Sequence, residues 1–312
     1  MDSAVTRVLI VGASGLVGGR LLAALACDSQ TLVRAASRVT RVWPDGVEGV
    51  VTSSSAPLTL AAACEGMDAV LNLASMPEAA CAADPLGALR ANVAGTLALA
   101  SAAASAGVSR FVQLSTMKVY SNSPTGIITE ETLTHPASHY AITHRAAEDY
   151  SSLHASAVVL RLANGFGAPI DPATPCWSLI TNDFCRQAAT TRHIVIRSDG
   201  LAWRNFIPLD DVVVALRAAA TSLPAGTYNL GSARSMTLRE MAERVAAVCE
   251  ITLGHAVEVK VGTSTTGSHD EVLDYRTDRL RANGVQLADM IDDEIARTLL
   301  SARTALHGAE RV

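Results

Sequence analysis

Six short apolar runs, each of strand length and separated by longer helical stretches, constrain this chain more than any other feature. They are RVLIVGA (7–13), TLVRAAS (31–37), GVVTS (49–53), DAVLNLAS (68–75), RFVQLST (110–116) and AVVLRLA (157–163). Near-continuous apolar runs suit strands covered on both faces, and their alternation with helices predicts a parallel, doubly wound α/β sheet. The clearest helix takes Asp84 as N-cap and Pro85 at its first position, and stops at Gly107. After residue 163 the pattern loosens. GFGAPIDPATPC (165–176) reads as a loop, followed by helices near 178–189, 210–222 and 237–249 and by strands at 226–232 and 256–262. Residues 164–312 are therefore expected to form mainly a second, smaller α/β region, packed on residues 1–163 with a cleft between.

With 312 residues, 49% hydrophobic and 18% charged, the chain can bury a large core. A net charge of −5 and the lack of any Lys/Arg block argue against a nucleic-acid partner, leaving small-molecule chemistry as the default. The six cysteines have no CxxC or CxxxH spacing, and no basic, apolar leader precedes the first run, so reduced thiols in the cytoplasm are expected. The Ala-rich stretch 88–106 is interrupted by Arg90, Asn92 and serines, and no membrane span is expected. His135, His139 and His193 lack ligand spacing with acids or cysteines, so no metal is proposed.

GASGLVG (12–18) links the first apolar run to the first helix. Gly12, Gly15 and Gly18 allow a tight turn and close approach of a diphosphate, and the backbone of Ser14, Leu16 and Val17 at a helix N-terminus favours an anion. The alternative is a purely structural turn. Dinucleotide binding by residues 1–163 is the reading that the surrounding βα repeats favour. At the end of the second strand, where an NAD enzyme carries an acid, stand Ser37 and Arg38, with Arg41 following. A guanidinium there attracts the 2′-phosphate that a carboxylate repels, so NADP is favoured and NAD stays open. Arginines on a solvated loop are the plainer explanation.

The glycine loop, DAVLNLAS, NVAGT (92–96), LSTMKVY (114–120), YAITH (140–144), LRLANGFGAP (160–169), RNFIPLDDV (204–212), GTYNLGS (226–232) and TDRLRANG (277–284) occur in this order. Together they resemble the extended short-chain dehydrogenase/reductases, specifically the NAD-dependent epimerase/dehydratase group, over nearly the whole length. The resemblance implies a Rossmann-type fold with Leu73 and Ala74 at the cofactor, Thr116 holding the substrate oxygen, and Tyr140 exchanging a proton with it. Where the family has lysine four residues after that tyrosine, this chain has His144. The lysine holds the nicotinamide ribose and lowers the phenol pKa; a neutral imidazole can still donate one hydrogen bond. Either the ring is kept charged, or another cation substitutes, or the chemistry is slow.

Lys118 is the nearby candidate cation, facing either the pocket with Thr116 or solvent. Met117 and Lys118 stand where sugar dehydratases of the family carry an Asp-Glu pair, which disfavours elimination of water. Asn164 and Arg204 match residues near the diphosphate of a bound sugar nucleotide; Arg204 could instead pair with Asp210 or Asp211. Asp211 is expected to cap the following helix. Trp177 is expected in the core rather than as a stacking surface, and Asn92 is expected to be buried and to fix local backbone. The leading expectation is an NAD(P)-dependent sugar-nucleotide epimerase or 4-ketoreductase acting by hydride transfer. Its alternatives are a non-catalytic or regulatory dinucleotide-binding protein and a reductase of a non-nucleotide carbonyl compound. A homodimer is implied by resemblance alone.

Overall fold

A computed structural model describes residues 5–53, 57–264 and 271–309. The first part of the chain runs β1 (Thr6–Val11), α1 (Leu16–Ala26), β2 (Thr31–Ser37), β3 (Val47–Val51), α2 (Pro57–Cys64), β4 (Ala69–Asn72), α3 (Glu78–Ala83), α4 (Pro85–Ala88), α5 (Gly95–Ser105) and β5 (Arg110–Thr116). Then come β6 (Gly126–Ile128), α6 (His139–Ser151), β7 (Ala157–Leu162), β8 (Asn164–Phe166), α7 (Ile180–Thr191), β9 (His193–Ser198) and β10 (Trp203–Pro208). The chain ends with α8 (Leu209–Thr221), β11 (Gly226–Leu230), β12 (Ser235–Thr237), α9 (Leu238–Leu253), β13 (Glu258–Ser264), β14 (Leu273–Tyr275), α10 (Asp278–Ala282) and α11 (Ile291–Ala309).

Seven parallel strands form the large sheet in the order β11-β7-β5-β4-β1-β2-β3. Side chains alternate across it, which explains why the strands are apolar at consecutive positions. Val8, Ile10, Leu71, Val112 and Leu160 face one layer with Leu21 of α1 and Leu216 of α8. Leu9, Val70 and Phe111 face the other, with Leu60 of α2 and Leu99 of α5. A second core, built from Phe166, Phe184, Ile194, Phe206, Met241, Val245, Ile295 and Leu299, joins α7, α9 and α11 to β9 and β10.

Two elements differ from what the sequence predicts. The strand expected at 226–232 does not stay with the smaller region: β11 pairs with β7, and α8 covers the large sheet, so that sheet draws on both sides of residue 163. Apolar alternation marks a strand but says nothing about which sheet it joins. The helix expected between Asp84 and Gly107 is present, with the Asp84 side chain accepting from the Gly87 N–H, yet it is not uniformly α-helical. A π-helical turn, Leu89–Ala94, interrupts it and carries Asn92. By length and composition alone this 85–105 stretch could cross a bilayer. In the fold its Leu99, Ala100 and Ala103 pack against the sheet.

The chain turns from one half of the sheet to the other between β1 and β4. In open α/β sheets that switch point, at the carboxyl ends of the strands, opens the crevice where ligands bind. The loops after β1, β4, β5 and β7 all begin there.

Candidate active site

The glycine loop closes against the loop after β4. Gly12 has φ +89°, and a Cβ at that position would stand 2.8 Å from the Ala74 backbone nitrogen. Only glycine allows both the left-handed backbone and the contact with Leu73 and Ala74. A Cβ on Gly18 would overlap the Gly12 carbonyl, so the first turn of α1 sits directly on the loop. Gly15 donates its N–H to the Gly12 oxygen at 3.0 Å and is the N-cap of α1, with no side-chain cap and no acid in the first turn. The amides beside half-buried Ser14, Leu16 and Val17 thus begin a helix whose positive end is left open. A cradle that a Cβ would fill, next to an open helix N-terminus, fits the diphosphate of a dinucleotide.

Ser37 ends β2, its hydroxyl taken up by the Val39 backbone. Arg38 is exposed and has no ion-pair partner among the described residues, whereas Arg41 lies 3.6 Å from Asp171. No carboxylate follows β2 at the position that would repel a 2′-phosphate.

Thr116, at the carboxyl end of β5, and α6 bring the proton-transfer candidates together. Ser138 caps α6 by accepting the Ala141 N–H, and the helical turn stacks Tyr140 and His144 with ring centroids 4.4 Å apart. Desolvation pushes the Tyr140 phenol up to about 12; the neighbouring Thr116 side chain pulls downward, while Glu78 and Cys81 add to the rise. His144 is 3% exposed, and neither ring nitrogen has a partner among the described residues. Burial alone lowers its pKa to about 4, so at neutral pH the imidazole is uncharged. Of the three ways in which the missing lysine could be met, a charged ring is thereby removed. Lys118, the candidate replacement cation, pairs with Glu78 on α3, and its backbone N–H donates to Thr116 Oγ1 at 3.2 Å.

A buried network that the sequence did not disclose holds α6 in place. Ser115 points to the opposite side of β5 from Thr116 and donates to Glu148 Oε1 at 2.5 Å. Glu148 pairs with Arg161 on β7 at 2.7 Å; Arg161 donates to the Tyr120 hydroxyl at 2.9 Å, and that hydroxyl donates to Asn229 Oδ1 at 2.7 Å. Glu148 lies one turn beyond His144 on the same face, and that spacing was the available clue. Asn92 behaves as expected: buried, it accepts the Met76 N–H at 2.8 Å and donates to Thr143 at 3.0 Å.

On the substrate side, Asn164 donates to the Asn205 carbonyl at 2.9 Å and lies 3.6 Å from Met117 Sδ, which links the turn after Thr116 to β10. Arg204 on β10 is partly buried. It donates to the Trp203 carbonyl at 2.7 Å and reaches Ser123 at 3.4 Å. It pairs with neither Asp210, which holds Arg20 and Arg297, nor Asp211. Desolvation lowers its pKa. Asp211 does not cap α8: Pro208 is the N-cap, and the Asp211 carboxylate instead accepts the N–H groups of Ala288 and Asp289 at 2.8 and 2.9 Å. It lies inside the first turn, past the position from which a side chain caps. Trp177 is half-buried and belongs to none of the apolar clusters, because the loop carrying it runs over the surface. Among the described residues, no group of three or more His, Cys, Asp or Glu side chains could hold a metal.

The profile of the NAD dependent epimerase/dehydratase family matches residues 8–231. The 2'-dehydrokanamycin reductase of Streptomyces kanamyceticus is 29% identical over 253 residues, 77% of this chain and 65% of that protein. Other curated relatives include dTDP-glucose 4,6-dehydratases, and the chain spans about half the length of those it matches. The UDP-glucose 4-epimerase structure from Thermotoga maritima, solved with UDP-glucose, has a TM-score of 0.83 at 20% identity, covering 96% of this chain and 100% of that one. The RMD structure from Pseudomonas aeruginosa, complexed with NADPH, has a TM-score of 0.76 at 23% identity, covering 96% and 99%.

Proposed function

The chain belongs to the NAD-dependent epimerase/dehydratase family, and from that premise we propose that it is an NAD(P)-dependent oxidoreductase or epimerase acting by hydride transfer on a nucleotide-activated sugar. The observation that carries this reading is the convergence, at the sheet's switch point, of the glycine cradle with Thr116 at the end of β5 and the stacked Tyr140 and His144 rings at the start of α6. A bound nicotinamide supplies or accepts the hydride. The amides at the start of α1 hold the dinucleotide diphosphate. Tyr140 holds the proton exchanged with the substrate oxygen, and Thr116 orients that oxygen by a hydrogen bond. His144 is a neutral ring packed against Tyr140, and its two nitrogens are enclosed and unpartnered among the described residues, so it does not stand in for the ribose-holding lysine.

Arg204 supports the nucleotide part of the substrate. A half-buried guanidinium with no carboxylate partner among the described residues matches the forked, charge-assisted geometry of a diphosphate. The absence of an acid after β2, together with exposed Arg38, supports NADP over NAD. Tighter binding of NADPH than of NADH, lost in Arg38→Asp, tests that preference. The apolar side chains Leu86, Leu89, Leu97, Ile142 and Leu153 are exposed on or beside the neighbouring 85–105 and α6 helices and support a homodimer through that face. Sedimentation of the protein and of an Ile142→Glu variant checks this.

The central test is turnover: NADPH consumption with a 4-keto sugar nucleotide, abolished in Tyr140→Phe. A second reading, a reductase of a sugar carbonyl carrying no nucleotide, is favoured by the likeness to 2'-dehydrokanamycin reductase. Arg204→Ala separates the two, because only a diphosphate-bearing substrate should lose affinity, by about 10-fold or more.

A further inference from the structure

Resting on the functional reading above, we propose that Asp171, on the loop after β8, is a specificity-determining residue of the dinucleotide site: it competes with the 2′-phosphate of NADP for Arg41 and so sets the choice between NADP and NAD. The acid that is missing from the end of β2 is thereby supplied from the other half of the chain.

In a sheet of this topology the loop after β2 borders the ribose of the adenosine half. Here that loop carries two arginines. Arg38 is exposed and has no ion-pair partner among the described residues, whereas an Arg41 guanidinium nitrogen stands 3.6 Å from Asp171 Oδ2. The segment that brings Asp171 there is anchored beside the glycine cradle. Arg20 of α1 donates to the Ala168 carbonyl at 2.9 Å, and Glu294 accepts the Ala168 N–H at 3.0 Å. Ile170 lies against the same helix, since a Cβ added to Gly19 would stand 4.0 Å from the Ile170 Cβ. The chain thus runs along the first turns of α1 and arrives at the loop after β2. The carboxylate is also aimed. Its Oδ1 accepts the Ala173 N–H at 2.9 Å, and the Asp171 carbonyl accepts the Thr174 N–H at 2.9 Å. That turn, with Pro172 fixing its backbone, leaves Oδ2 for Arg41.

Solvent decides how firmly the pair holds. The two side chains are 42% and 52% exposed, and an ion pair so open to water contributes little. It is easily exchanged. A 2′-phosphate brings about two negative charges and three acceptor oxygens, and a guanidinium meets it with two parallel bonds where a carboxylate at 3.6 Å makes none. With NADP bound, Arg41 leaves Asp171 for the phosphate. With NAD no phosphate arrives, and Arg41 stays where it is. Breaking the pair is therefore a cost that NADP alone bears, and Asp171 holds back part of the advantage that Arg38 and Arg41 give to that cofactor.

Fluorescence titrations with NADPH and with NADH read this without any substrate. Asp171→Asn should tighten NADPH about 3–5-fold and leave NADH unchanged. Arg41→Ala should weaken NADPH about 5-fold and leave NADH unchanged, and in that background Asp171→Asn should no longer change NADPH affinity, because nothing remains to compete for. An unaltered ratio of NADPH to NADH affinity in Asp171→Asn overturns the proposal, as does an equal gain for both cofactors. A full gain for NADPH in the Arg41→Ala background overturns it too, since the carboxylate would then act without Arg41. Should Asp171→Asn fail to fold, Arg41→Ala still decides: an unaltered ratio there means that Arg41 does not meet the 2′-phosphate. A protein that binds neither NADPH nor NADH refutes the functional reading itself, an outcome distinct from all of these.

Discussion

His144 is enclosed by protein, and neither of its ring nitrogens has a partner among the described residues. Charging it inside the protein is unfavourable, whereas in the unfolded chain it takes up a proton near about pH 6.5. The folded pKa of about 4 lies below that value, so the unfolded state binds more protons in between. The stabilisation is therefore complete above about pH 6.5 and is lost as pH falls through about 4, a loss of about 3 kcal/mol from this side chain. Urea midpoints of the cofactor-free protein, measured from about pH 7.5 down to about 4, should show this decline, and His144→Gln should flatten it. Equal slopes for the two proteins would contradict the burial of the ring. The sequence marks the position of this residue, four places after the tyrosine, but not its charge. Periodicity brings the two rings together; the charge follows from what other elements place around them, and that is long-range information. Gly12 and Gly18 were readable because their constraint is local, whereas the isolation of Arg204 depends on which acids Arg20 and Arg297 have already taken.

At the scale of the element, α6 is fixed less by its own composition than by one carboxylate. Glu148 and Arg161 are each almost wholly buried and hold each other at 2.7 Å, with Ser115 as a further donor. Removing one partner strands the other charge in a low-dielectric interior, so Glu148→Ala should cost about 3–5 kcal/mol. Chemical denaturation measures it. The double variant Glu148→Leu/Arg161→Met, which leaves no stranded charge, should recover part of the loss, and a double variant less stable than either single one would show that the pair is a net gain. The strands of the large sheet were visible in the sequence because apolar residues at consecutive positions answer to two covered faces. The π-helical turn at Leu89–Ala94 was not, since one extra residue per turn hardly disturbs an Ala-rich pattern. The partnership of Asp211 with Ala288 and Asp289 was equally invisible, because a carboxylate at a helix start suggests a cap and its actual donors lie on a distant loop.

At the scale of the whole molecule, the cofactor cradle and the second core are joined through Glu294, a fully buried acid on α11. It accepts from Arg20 of α1 at 2.5 Å, from the Ala168 N–H at 3.0 Å and from Arg297 at 2.6 Å. Arg20 also pairs with Asp210 on α8 at 3.0 Å. Glycine at 167, with φ +156°, leaves the space that the Glu294 carboxylate fills. The helix that begins at the glycine loop is thus tied to the C-terminal helix by one charge cluster, while the second core packs mainly on itself. Glu294→Ala should remove about 3–5 kcal/mol by leaving Arg20 without its main counter-charge. Because the lost contact lies between the two cores, loosening should be uneven: the C-terminal helices should release before the large sheet, so that urea transitions followed by tryptophan fluorescence and by far-ultraviolet circular dichroism no longer coincide. A dinucleotide bound in the large sheet's crevice should stabilise that part alone and widen the gap in the variant. Coincident transitions with and without added NADPH or NADH would mean that the two cores are coupled through their apolar contacts and that the charge cluster is incidental to their union.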